Sequence, residues 1–585
     1  MVSLARGTKR LALTLETGSK LLKSRSIRHA SQAVGKCKIV EGNNGERVFT
    51  SPYGDVDIPS VTIHEYVWAN IQQWPNNVAL ECGITGRKFT YSQTRDASNC
   101  VARSLINLGL REGDVVAIIL PNYPEAAIAF LGSLEAGIVV TTVNPFYTVD
   151  EIKKQLVDSG AKAVITSAEI APSVAAAAKS CLPPNAPQIV VEDGVREVPE
   201  GAVPFKDLIT RGKSLPQLPE KRQNSNGLAA LPYSSGTTGL PKGVELTHRN
   251  LVSNIVMVNN TVAFRQFTTG DQRSYVIPAF LPLFHIYGMN ALMLPRLSLG
   301  SKLVTLPRFT PESFIGVLEK HQVTQLFCVP PIVLFMAASP HIKKDHFKDL
   351  RSIFSGAAPL AKTDVDRVFE KLGASDSNLR FLQGYGMTEC SGVGFLESSN
   401  SKYASIGHPI CSSSARLVDP VTNRDCTASG QTGELWLKGP HLMRAYFKNP
   451  AETRHAIQDG WLKTGDIAYF DDDHDFFITD RLKELVKVKG FQVPPAELEA
   501  ILRTHPDVEE AAVVGIPDPR SGEVPKAFVL PKEGTNPSEE DVQNFLKGKV
   551  SEYKELKGGV TFVKSIPRNP SGKILRIKLK EMYLK

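Results

Sequence analysis

The stretch LPYSSGTTGLPKGVELTHRN, at residues 231–250, carries the clearest local signal in the chain. Its run of small and hydroxyl residues leads into Pro241-Lys242-Gly243 and then into an alternating segment at 244–247 that predicts a strand. Glycines let backbone N–H groups approach a phosphate, hydroxyls donate further hydrogen bonds, and lysine adds a positive charge. A Walker A loop would need Gly-Lys followed by Ser or Thr, whereas here Lys242 precedes Gly243. The stretch therefore predicts a phosphate-binding loop of another kind.

Composition and charge narrow the class of protein. A chain of 585 residues is too long for one core and predicts at least two domains. Its 42% hydrophobic and 22% charged residues are typical of a soluble globular protein. The net charge of +8 lies entirely within residues 1–38, and the remainder balances 59 basic against 59 acidic residues. A neutral body argues against nucleic acid as a partner, and eight cysteines without a CxxC pair argue against a disulfide framework.

The basic N-terminus predicts a targeting segment. Leucines at 4, 11, 15 and 22 share one side of a helix, and the segment has a single acid, Glu16. This pattern is typical of a mitochondrial transit peptide, which we place at residues 1–45. A disordered basic tail on a cytosolic protein is the alternative. The C-terminal Tyr583-Leu584-Lys585 lacks the Ser-Lys-Leu peroxisomal address.

Strand and helix patterns alternate through the first half of the chain. Apolar runs at 115–120, 139–143 and 163–166 predict buried strands, and the segments between them predict helices. Such alternation indicates an α/β fold with mostly parallel sheets covered by helices on both faces. Residues 274–295 contain no charge over 22 positions, but their prolines and polar groups argue against a membrane span.

Further motifs follow in a fixed order. They are LPLFHIYG at 281–288, SGAAPL at 355–360, QGYGMTE at 383–389, GWLKTGD at 460–466, DRLKELVKVKGFQV at 480–493 and NPSGK at 569–573. Tyr385 offers an aromatic face for adenine, Thr388 a hydroxyl for the α-phosphate, and Glu389 a carboxylate for Mg²⁺. A fixed carboxylate suits the two ribose hydroxyls, and the family resemblance given below implies that Asp466 supplies it. The acidic run at 471–473 predicts a solvated hairpin turn.

In this order the motifs resemble the adenylate-forming superfamily of acyl-CoA synthetases, firefly luciferases and plant 4-coumarate-CoA ligases, over about residues 55–580. The resemblance implies a large AMP-binding domain at 46–482 and a small, mobile α+β domain at 483–585. It implies that ATP and AMP are bound by Ser234, Ser235, Gly236, Thr237, Thr238, Lys242, Ala357, Gln383, Gly384, Tyr385, Thr388, Asp466, Arg481, Lys483, Gln492 and Lys573. It assigns catalysis to Lys573, Lys487, His285 and Thr388, the metal to Glu389, the acid pocket to His285, Tyr287, Ala291, Val393 and Leu396, and coenzyme A to Arg308, Lys487, Lys489 and Gly490.

The implied activity is ATP-dependent acyl-CoA synthesis through acyl-AMP, with ATP, Mg²⁺ and coenzyme A. Carboxylate activation needs no nucleophilic side chain, because the substrate carboxylate attacks and the protein stabilises developing charge. By resemblance Lys573 serves the first step, and rotation at the hinge then presents Lys487 for the second.

The identity of the acid is the least determined part of this function. Gly288, Ala291, Val393, Gly394 and Leu396 suggest a roomy aliphatic tunnel, which predicts a medium- or long-chain fatty acid. A 4-coumarate-type aryl-CoA ligase, a luciferase-like monooxygenase and a non-catalytic nucleotide-binding module are the alternatives. The last is disfavoured because the lysines and carboxylates of the motifs are all present.

Overall fold

The computed structural model describes residues 35–42, 45–219, 224–234, 241–261, 275–358, 360, 362–374, 379–397, 402, 404–482, 484–488, 491–568 and 574–584, except the side chains of 491 and 492. The helices in this part of the chain are Ile63–Trp68, Ile71–Gln73, Tyr91–Asn107, Pro124–Glu135, Val149–Ser159, Ala171–Ala178, Phe205–Gly212, His248–Asn260, Tyr287–Met293, Leu294–Ser298, Pro311–Lys320, Pro330–Ala338, Lys344–Phe347, Lys362–Leu372, Thr388–Cys390, Pro450–Ala456, Pro495–Leu502, Glu539–Leu546, Glu552–Lys554 and Arg576–Tyr583.

The first sheet confirms the predicted parallel arrangement. In spatial order its strands are Tyr233–Ser234, Lys242–Thr247, Leu228–Ala230, Val139–Thr142, Val115–Ile119, Ala161–Ser167, Gln188–Val191 and Val203–Pro204, with Ala445–Tyr446 paired to Lys242–Thr247. The five central strands run parallel and are almost completely buried, which explains their continuous Val and Ile content. In sequence, the predicted phosphate loop connects the edge strand Tyr233–Ser234 to its antiparallel neighbour Lys242–Thr247.

Two further sheets complete the α/β part. One contains Val276–Ala279, Lys302–Thr305, Val78–Cys82 and Lys88–Thr90; the other contains Gln325–Cys328, Ser352–Ser355, Arg380–Tyr385, Phe395–Leu396 and His408–Pro409. Backbone contact between Thr324 and Val276 joins them edge to edge. Gln325–Cys328, Ser352–Ser355 and Arg380–Tyr385 are parallel, so their carboxyl ends meet at one edge.

A fourth sheet is entirely antiparallel. It contains Lys38–Glu41, Arg47–Thr50, Ser414–Val418, Gly433–Lys438, Trp461–Phe470, Ile457–Gln458 and Phe476–Arg481. Ile39 lies opposite Phe49, and Cys37 is buried. The strand Lys38–Glu41 thus lies within the predicted leader and belongs to the folded sheet, while the leader boundary at residue 45 stays a prediction. Residues 1–34 lie outside the described part, so targeting stays a prediction.

The small C-terminal domain has its own sheet and core. Its strands are Phe491–Val493, Val486–Val488, Gly522–Pro531, Val508–Asp518 and Val560–Phe562. The largest cluster of buried apolar side chains spans Cys37 to Phe476, and a separate cluster spans Val486 to Val560. Two cores along one chain confirm the predicted fold class of a large α/β domain followed by a smaller one.

Local sequence explains most element ends, and the exceptions are informative. Thr90, Thr148 and Thr247 cap their helices with hydroxyls that accept from backbone N–H groups three residues later. Apolar residues at 63, 66, 67 and 71 predict a helix over 64–73, but the helix ends at Trp68 and resumes as the single turn Ile71–Gln73. The prolines and glycines at 181–226 predict loops and edge strands, but this region contains a helix, Phe205–Gly212, which the sequence interpretation missed. No helix in the described ranges has the length and apolar character needed to cross a bilayer.

Candidate active site

A cavity of about 870 Å³ is lined by residues of both domains. Thr142, Ser355 and Tyr385 reach it from the carboxyl ends of parallel strands, where open α/β sheets place ligands. Arg568 and Lys578 reach it from the small domain. The fold thus brings motif residues as far apart in sequence as Ser234 and Arg481 into one cleft.

Glu389, the predicted metal ligand, lies in a corner of the cavity formed with Ser234 and Tyr446. Glu389 is 4% exposed and lies in the short helix Thr388–Cys390. Its Oε1 accepts hydrogen bonds from Ser234 Oγ at 2.8 Å and from the Tyr446 hydroxyl at 2.9 Å. Two donors on one oxygen leave Oε2 as the oxygen that fits Mg²⁺, which prefers few carboxylates plus phosphate oxygens. Thr388 lines the cavity beside it.

Lys242 is held at the edge of this corner. Its Nζ forms an ion pair with Glu452 and lies 5.2 Å from the centroid of the Tyr446 ring. The strand pairing of Val244 with Tyr446 explains this proximity. Ser235, Gly236, Thr237 and Thr238 lie outside the described residues, so their predicted contacts with phosphate stay predictions.

The predicted ribose ligands form one buried group. Asp466 is 5% exposed, and its Oδ2 accepts from the Tyr385 hydroxyl at 2.6 Å. Its Oδ1 lies 3.2 Å from Nε of Arg481. Burial lowers the pKa of Arg481, but the charges of Asp466 and Glu484 more than offset this, so the pKa is raised. The carboxylate is fixed in position by these two contacts, as recognition of two hydroxyls requires.

Ala357 and Gly384, which the resemblance assigns to ATP and AMP binding, form part of one wall of the cavity. Ala357 has φ of 75° and lines the cavity with Gly384. A left-handed non-glycine residue costs on the order of 1 kcal/mol, so the surrounding hydrogen bonds must hold it. Gln383 supplies one: its Oε1 accepts from Leu360 N at 3.0 Å. Gln383 is 5% exposed and does not belong to the described lining, which places this predicted AMP ligand behind the wall.

The predicted acid pocket is built around a π-helix that the sequence did not reveal. Tyr287–Met293 winds with one extra residue per turn before the α-helix Leu294–Ser298, a distortion common at functional sites. His285, Tyr287 and Ala291 line the cavity from this element, and Val393 and Leu396 line it from the opposite side.

The electrostatics of this pocket favour a neutral imidazole. Burial lowers the pKa of His285 to about 4. Its Nδ1 accepts from Tyr287 N at 3.3 Å, which assigns the proton to Nε2. The Tyr287 hydroxyl lies 3.2 Å from the carbonyl oxygens of both Cys328 and Phe354. His285 can therefore donate one hydrogen bond, while the tyrosine hydroxyl is committed to the backbone.

Gly288 and Gly394, which suggested a roomy tunnel in the sequence, are surrounded by neighbouring atoms that leave little room for a side chain. A Cβ on Gly288 would lie 2.1 Å from the Pro282 carbonyl oxygen. A Cβ on Gly394 would lie 3.2 Å from Leu437, and Gly394 is not part of the described lining. The inference of a roomy tunnel from these two glycines is therefore wrong. Gly288 is required by close packing against a backbone carbonyl group, and Gly394 packs against Leu437 and is not part of the described lining.

The residues predicted for coenzyme A and the hinge are only partly described. Arg308 is exposed on the surface and pairs with Glu169 at 3.2 Å. Lys487 is exposed, and its backbone N donates to Glu523 at 2.9 Å. Lys483, Lys489, Gly490 and Lys573 lie outside the described residues, and Gln492 is described only as backbone in Phe491–Val493. Their roles stay predictions.

Sequence interpretation missed several residues of the cavity. Tyr446 and Glu452 contact Glu389 and Lys242, yet no nearby motif marks them. Lys463 lines the cavity with its Nζ 4.7 Å from the Trp436 ring centroid, although it lies inside the quoted GWLKTGD motif. The position of Lys463 beside Asp466 could have suggested it. The acidic run at 471–473 forms the predicted hairpin turn, where Asp473 pairs with Lys36 and Lys402.

Comparison with known proteins agrees with this geometry. The family model for the AMP-binding enzyme matches residues 67–447, and the model for the AMP-binding enzyme C-terminal domain matches residues 497–573. A 4-coumarate--CoA ligase 1 of Petroselinum crispum is 40% identical over 549 residues, covering 91% of this chain and 96% of the relative. A 4-coumarate--CoA ligase 1 of Solanum tuberosum is 38% identical over 545 residues, covering 92% and 97%.

Solved structures show the same architecture. ATP-bound MatB from Rhodopseudomonas palustris superimposes with a TM-score of 0.79 at 27% identity, covering 90% of this chain and 99% of that one. The anthranilate CoA ligase AuaEII in complex with anthranoyl-AMP gives 0.79 at 25% identity, covering 90% and 98%.

Fold and site together define a two-domain enzyme that activates a carboxylic acid with ATP. The chain belongs to the AMP-binding enzyme family. Within it the protein is an ATP-dependent, AMP-forming acid–CoA ligase that uses ATP, Mg²⁺ and coenzyme A.

Proposed function

We propose that the acid is a medium- or long-chain fatty acid. Buried polar residues, among them Thr142, Asn144, Gln155 and Ser355, contribute to the cavity lining. The supporting observation is the apolar patch formed in the same lining by the buried side chains of Val258, Ile286, Ala291, Phe327, Phe354 and Leu396. A phenol hydroxyl bound there would need a polar partner, because a buried polar group without one costs roughly 1–3 kcal/mol. The Tyr287 hydroxyl already serves two backbone carbonyls, and His285 serves the carboxylate end. An alkyl chain makes no such demand.

A cinnamate-type aryl acid is the second candidate, and two observations favour it. The relatives reported above are 4-coumarate-CoA ligases. In addition, the rings of Phe327 and Phe354 stack with centroids 5.0 Å apart and an interplanar angle of 20°, which offers aromatic contact. A cinnamate without ring hydroxyls would suit this apolar wall better than 4-coumarate.

In the proposed first step a carboxylate oxygen of the acid attacks the α-phosphorus of ATP. The bond from the α-phosphorus to the bridging oxygen breaks, and pyrophosphate leaves. Glu389 would hold Mg²⁺, which neutralises phosphate charge when bound. Thr388 would donate to the α-phosphate, Lys242 and the loop after Ser234 would bind the outgoing phosphates, and Lys573 would stabilise the developing charge. The Nε2–H of His285 would orient the carboxylate.

In the proposed second step the thiolate sulfur of coenzyme A attacks the acyl carbon, and AMP leaves with the electrons of the broken acyl–oxygen bond. Arg568 and Leu575 flank segment 569–573 on either side, and both line the cavity. Lys487 is exposed and outside the described lining. This arrangement supports assigning the present domain orientation to the first step, with rotation at the hinge preceding the second.

A panel of acids tests the proposal. ATP–pyrophosphate exchange and coenzyme A-dependent AMP release are measured with saturated acids of six to sixteen carbons, cinnamate and 4-coumarate. Each buried methylene contributes about 0.8 kcal/mol, so we expect kcat/KM to rise roughly fourfold per carbon until the pocket is filled. A preference for 4-coumarate over cinnamate and over every fatty acid would refute the fatty acid proposal in favour of a phenol-binding pocket.

A further inference from the structure

Two buried asparagines converge on the turn that follows the predicted metal ligand. Asn254, in the helix His248–Asn260, and Asn290, in the π-helix Tyr287–Met293, are each no more than 1% exposed. Both donate from Nδ2 to carbonyl groups of residues 390–393. Apolar side chains would fill such positions at less cost, so the amides indicate a specific requirement for hydrogen bonds.

The hydrogen bonds fix the turn from two directions. Asn254 Nδ2 donates to Val393 O at 2.6 Å and to Cys390 O at 3.3 Å, while its Oδ1 accepts from Val393 N at 3.4 Å. Asn290 Nδ2 donates to Ser391 O at 2.7 Å. Val393 is thus held through both its N–H and its carbonyl by one side chain.

The turn needs this support because its backbone is unfavourable. Ser391 has φ of 58°, a left-handed conformation that costs a non-glycine residue free energy. Gly392 has φ of 127°, and a Cβ there would lie 3.3 Å from Asn254 Oδ1. Without outside hydrogen bonds, such a turn would relax toward ordinary backbone angles. The two asparagines therefore determine where Val393 stands.

The same two helices also contribute wall residues. Val258 lies one helical turn beyond Asn254 on the same helix face, and Ala291 is adjacent to Asn290. Val258, Ala291 and Val393 all line the cavity. The two asparagines consequently connect three segments that line the acid pocket: the helix His248–Asn260, the π-helix Tyr287–Met293 and the turn at 390–393. We call the two side chains and their hydrogen bonds the asparagine clamp.

We propose that the asparagine clamp sets the width of the acid pocket, so that Asn254 and Asn290 are positioning residues that determine which acids are accepted. This inference deepens the proposed function and rests on it. The asparagines touch the turn and not the substrate. They act by fixing the backbone of the turn that carries Val393, which lines the cavity together with Val258 and Ala291, so that a misfitting acid cannot displace this wall.

The test compares discrimination between acids. The variants are Asn254→Ala, the milder Asn254→Ser, which keeps one donor, and Asn290→Ala. For each, kcat/KM is measured for the best acid of the panel and for homologues two carbons shorter and longer, together with the KM for ATP. We expect the ratio between the best acid and the poorer homologue to fall at least fivefold toward one in Asn254→Ala and Asn290→Ala, with a smaller fall in Asn254→Ser. The KM for ATP should change less than twofold.

Asn250→Ala is the matched control. Asn250 lies on the same helix, and its side chain also makes three hydrogen bonds, two with Thr247 and one with Pro440 O at 3.0 Å, rather than with residues 390–393. It should lower the melting temperature while leaving the ratio between acids unchanged. Ratios do not depend on the folded fraction, so partial misfolding does not mask the result.

Two results would overturn the inference. If the clamp variants lose activity equally toward all acids, or keep wild-type ratios, the asparagines have only a structural role. If the wild type itself activates no acid in the panel, the proposed function fails and this inference fails with it. The first result leaves the proposed function intact, so the two failures are distinguishable.

Discussion

The hydroxyl of Tyr446 provides the sharpest test of the predicted metal corner. It donates to Glu389 Oε1 at 2.9 Å, and Ser234 Oγ donates to the same oxygen at 2.8 Å. Burial, and then the charge of Glu389, raise the pKa of the phenol, so it stays protonated and donates throughout the working range. Tyr446→Phe removes this donor and retains the ring that faces Lys242 at 5.2 Å.

The size of the effect follows from the contacts that remain. A hydrogen bond to a charged group contributes about 1.5–3 kcal/mol, and loss of a group that orients a metal ligand typically costs tenfold to a hundredfold. Because Ser234 still donates to Oε1, Glu389 is not left without a partner. We therefore expect the lower part of that range, roughly a tenfold to thirtyfold loss of adenylate formation.

The assay is ATP–pyrophosphate exchange as a function of Mg²⁺ concentration. The variant should need roughly tenfold more Mg²⁺ for half-maximal exchange and should recover part of its rate at high Mg²⁺. Thioester formation from supplied acyl-AMP should be nearly unchanged, because it involves no triphosphate.

Tyr233→Phe is the matched control, since Tyr233 also lines the cavity but its hydroxyl donates to Asp158. Its Mg²⁺ dependence should match that of the wild type. An unchanged Mg²⁺ requirement in Tyr446→Phe, or an equal shift in both variants, would refute the assignment of Glu389 as the oriented metal ligand.

Three further predictions concern the cycle, the core and the leader. Lys573→Ala should lower ATP–pyrophosphate exchange by about a hundredfold and spare thioester formation from supplied acyl-AMP, whereas Lys487→Ala should do the reverse; equal losses in both half-reactions would argue against domain alternation. Burial lowers the pKa of His441 to about 3, so the folded chain excludes a proton that the unfolded chain binds below pH 6.5. The free energy of unfolding should thus fall as pH drops from 6.5 toward 3. In His441→Leu, the decrease in this free energy between pH 7 and pH 5, measured by urea denaturation, should be smaller than in the wild type by about 2 kcal/mol. An identical pH dependence in the two proteins would contradict this prediction. A fluorescent fusion of residues 1–45 should enter mitochondria, and a diffuse cytosolic signal would remove the targeting prediction.

Much of the architecture could be predicted because its causes are local. Continuous apolar residues at 115–120 predict a buried strand, and the strand Val115–Ile119 is entirely buried. Pro330 and Pro331 before an apolar segment predict a helix to about residue 338, and the helix Pro330–Ala338 has these bounds. In contrast, Phe205–Gly212 was missed because its short apolar face lies among prolines and glycines, which favour a loop locally.

The chemistry of the candidate site divides in the same way. The residue types that can bind ATP lie in short contiguous motifs, so these motifs and the family resemblance they carry identified Glu389 and Asp466 as the carboxylates of the cleft. Only tertiary structure decided what surrounds them. Tyr446 meets Glu389 across 57 positions in sequence, and Asn254 meets Val393 across 139. Gly288 was misread because a glycine looks the same in sequence whether it opens a pocket or admits a neighbouring carbonyl oxygen. Motifs are encoded by neighbours along the chain, whereas the width of the acid pocket is determined by side chains that meet only after the sheets and helices have packed.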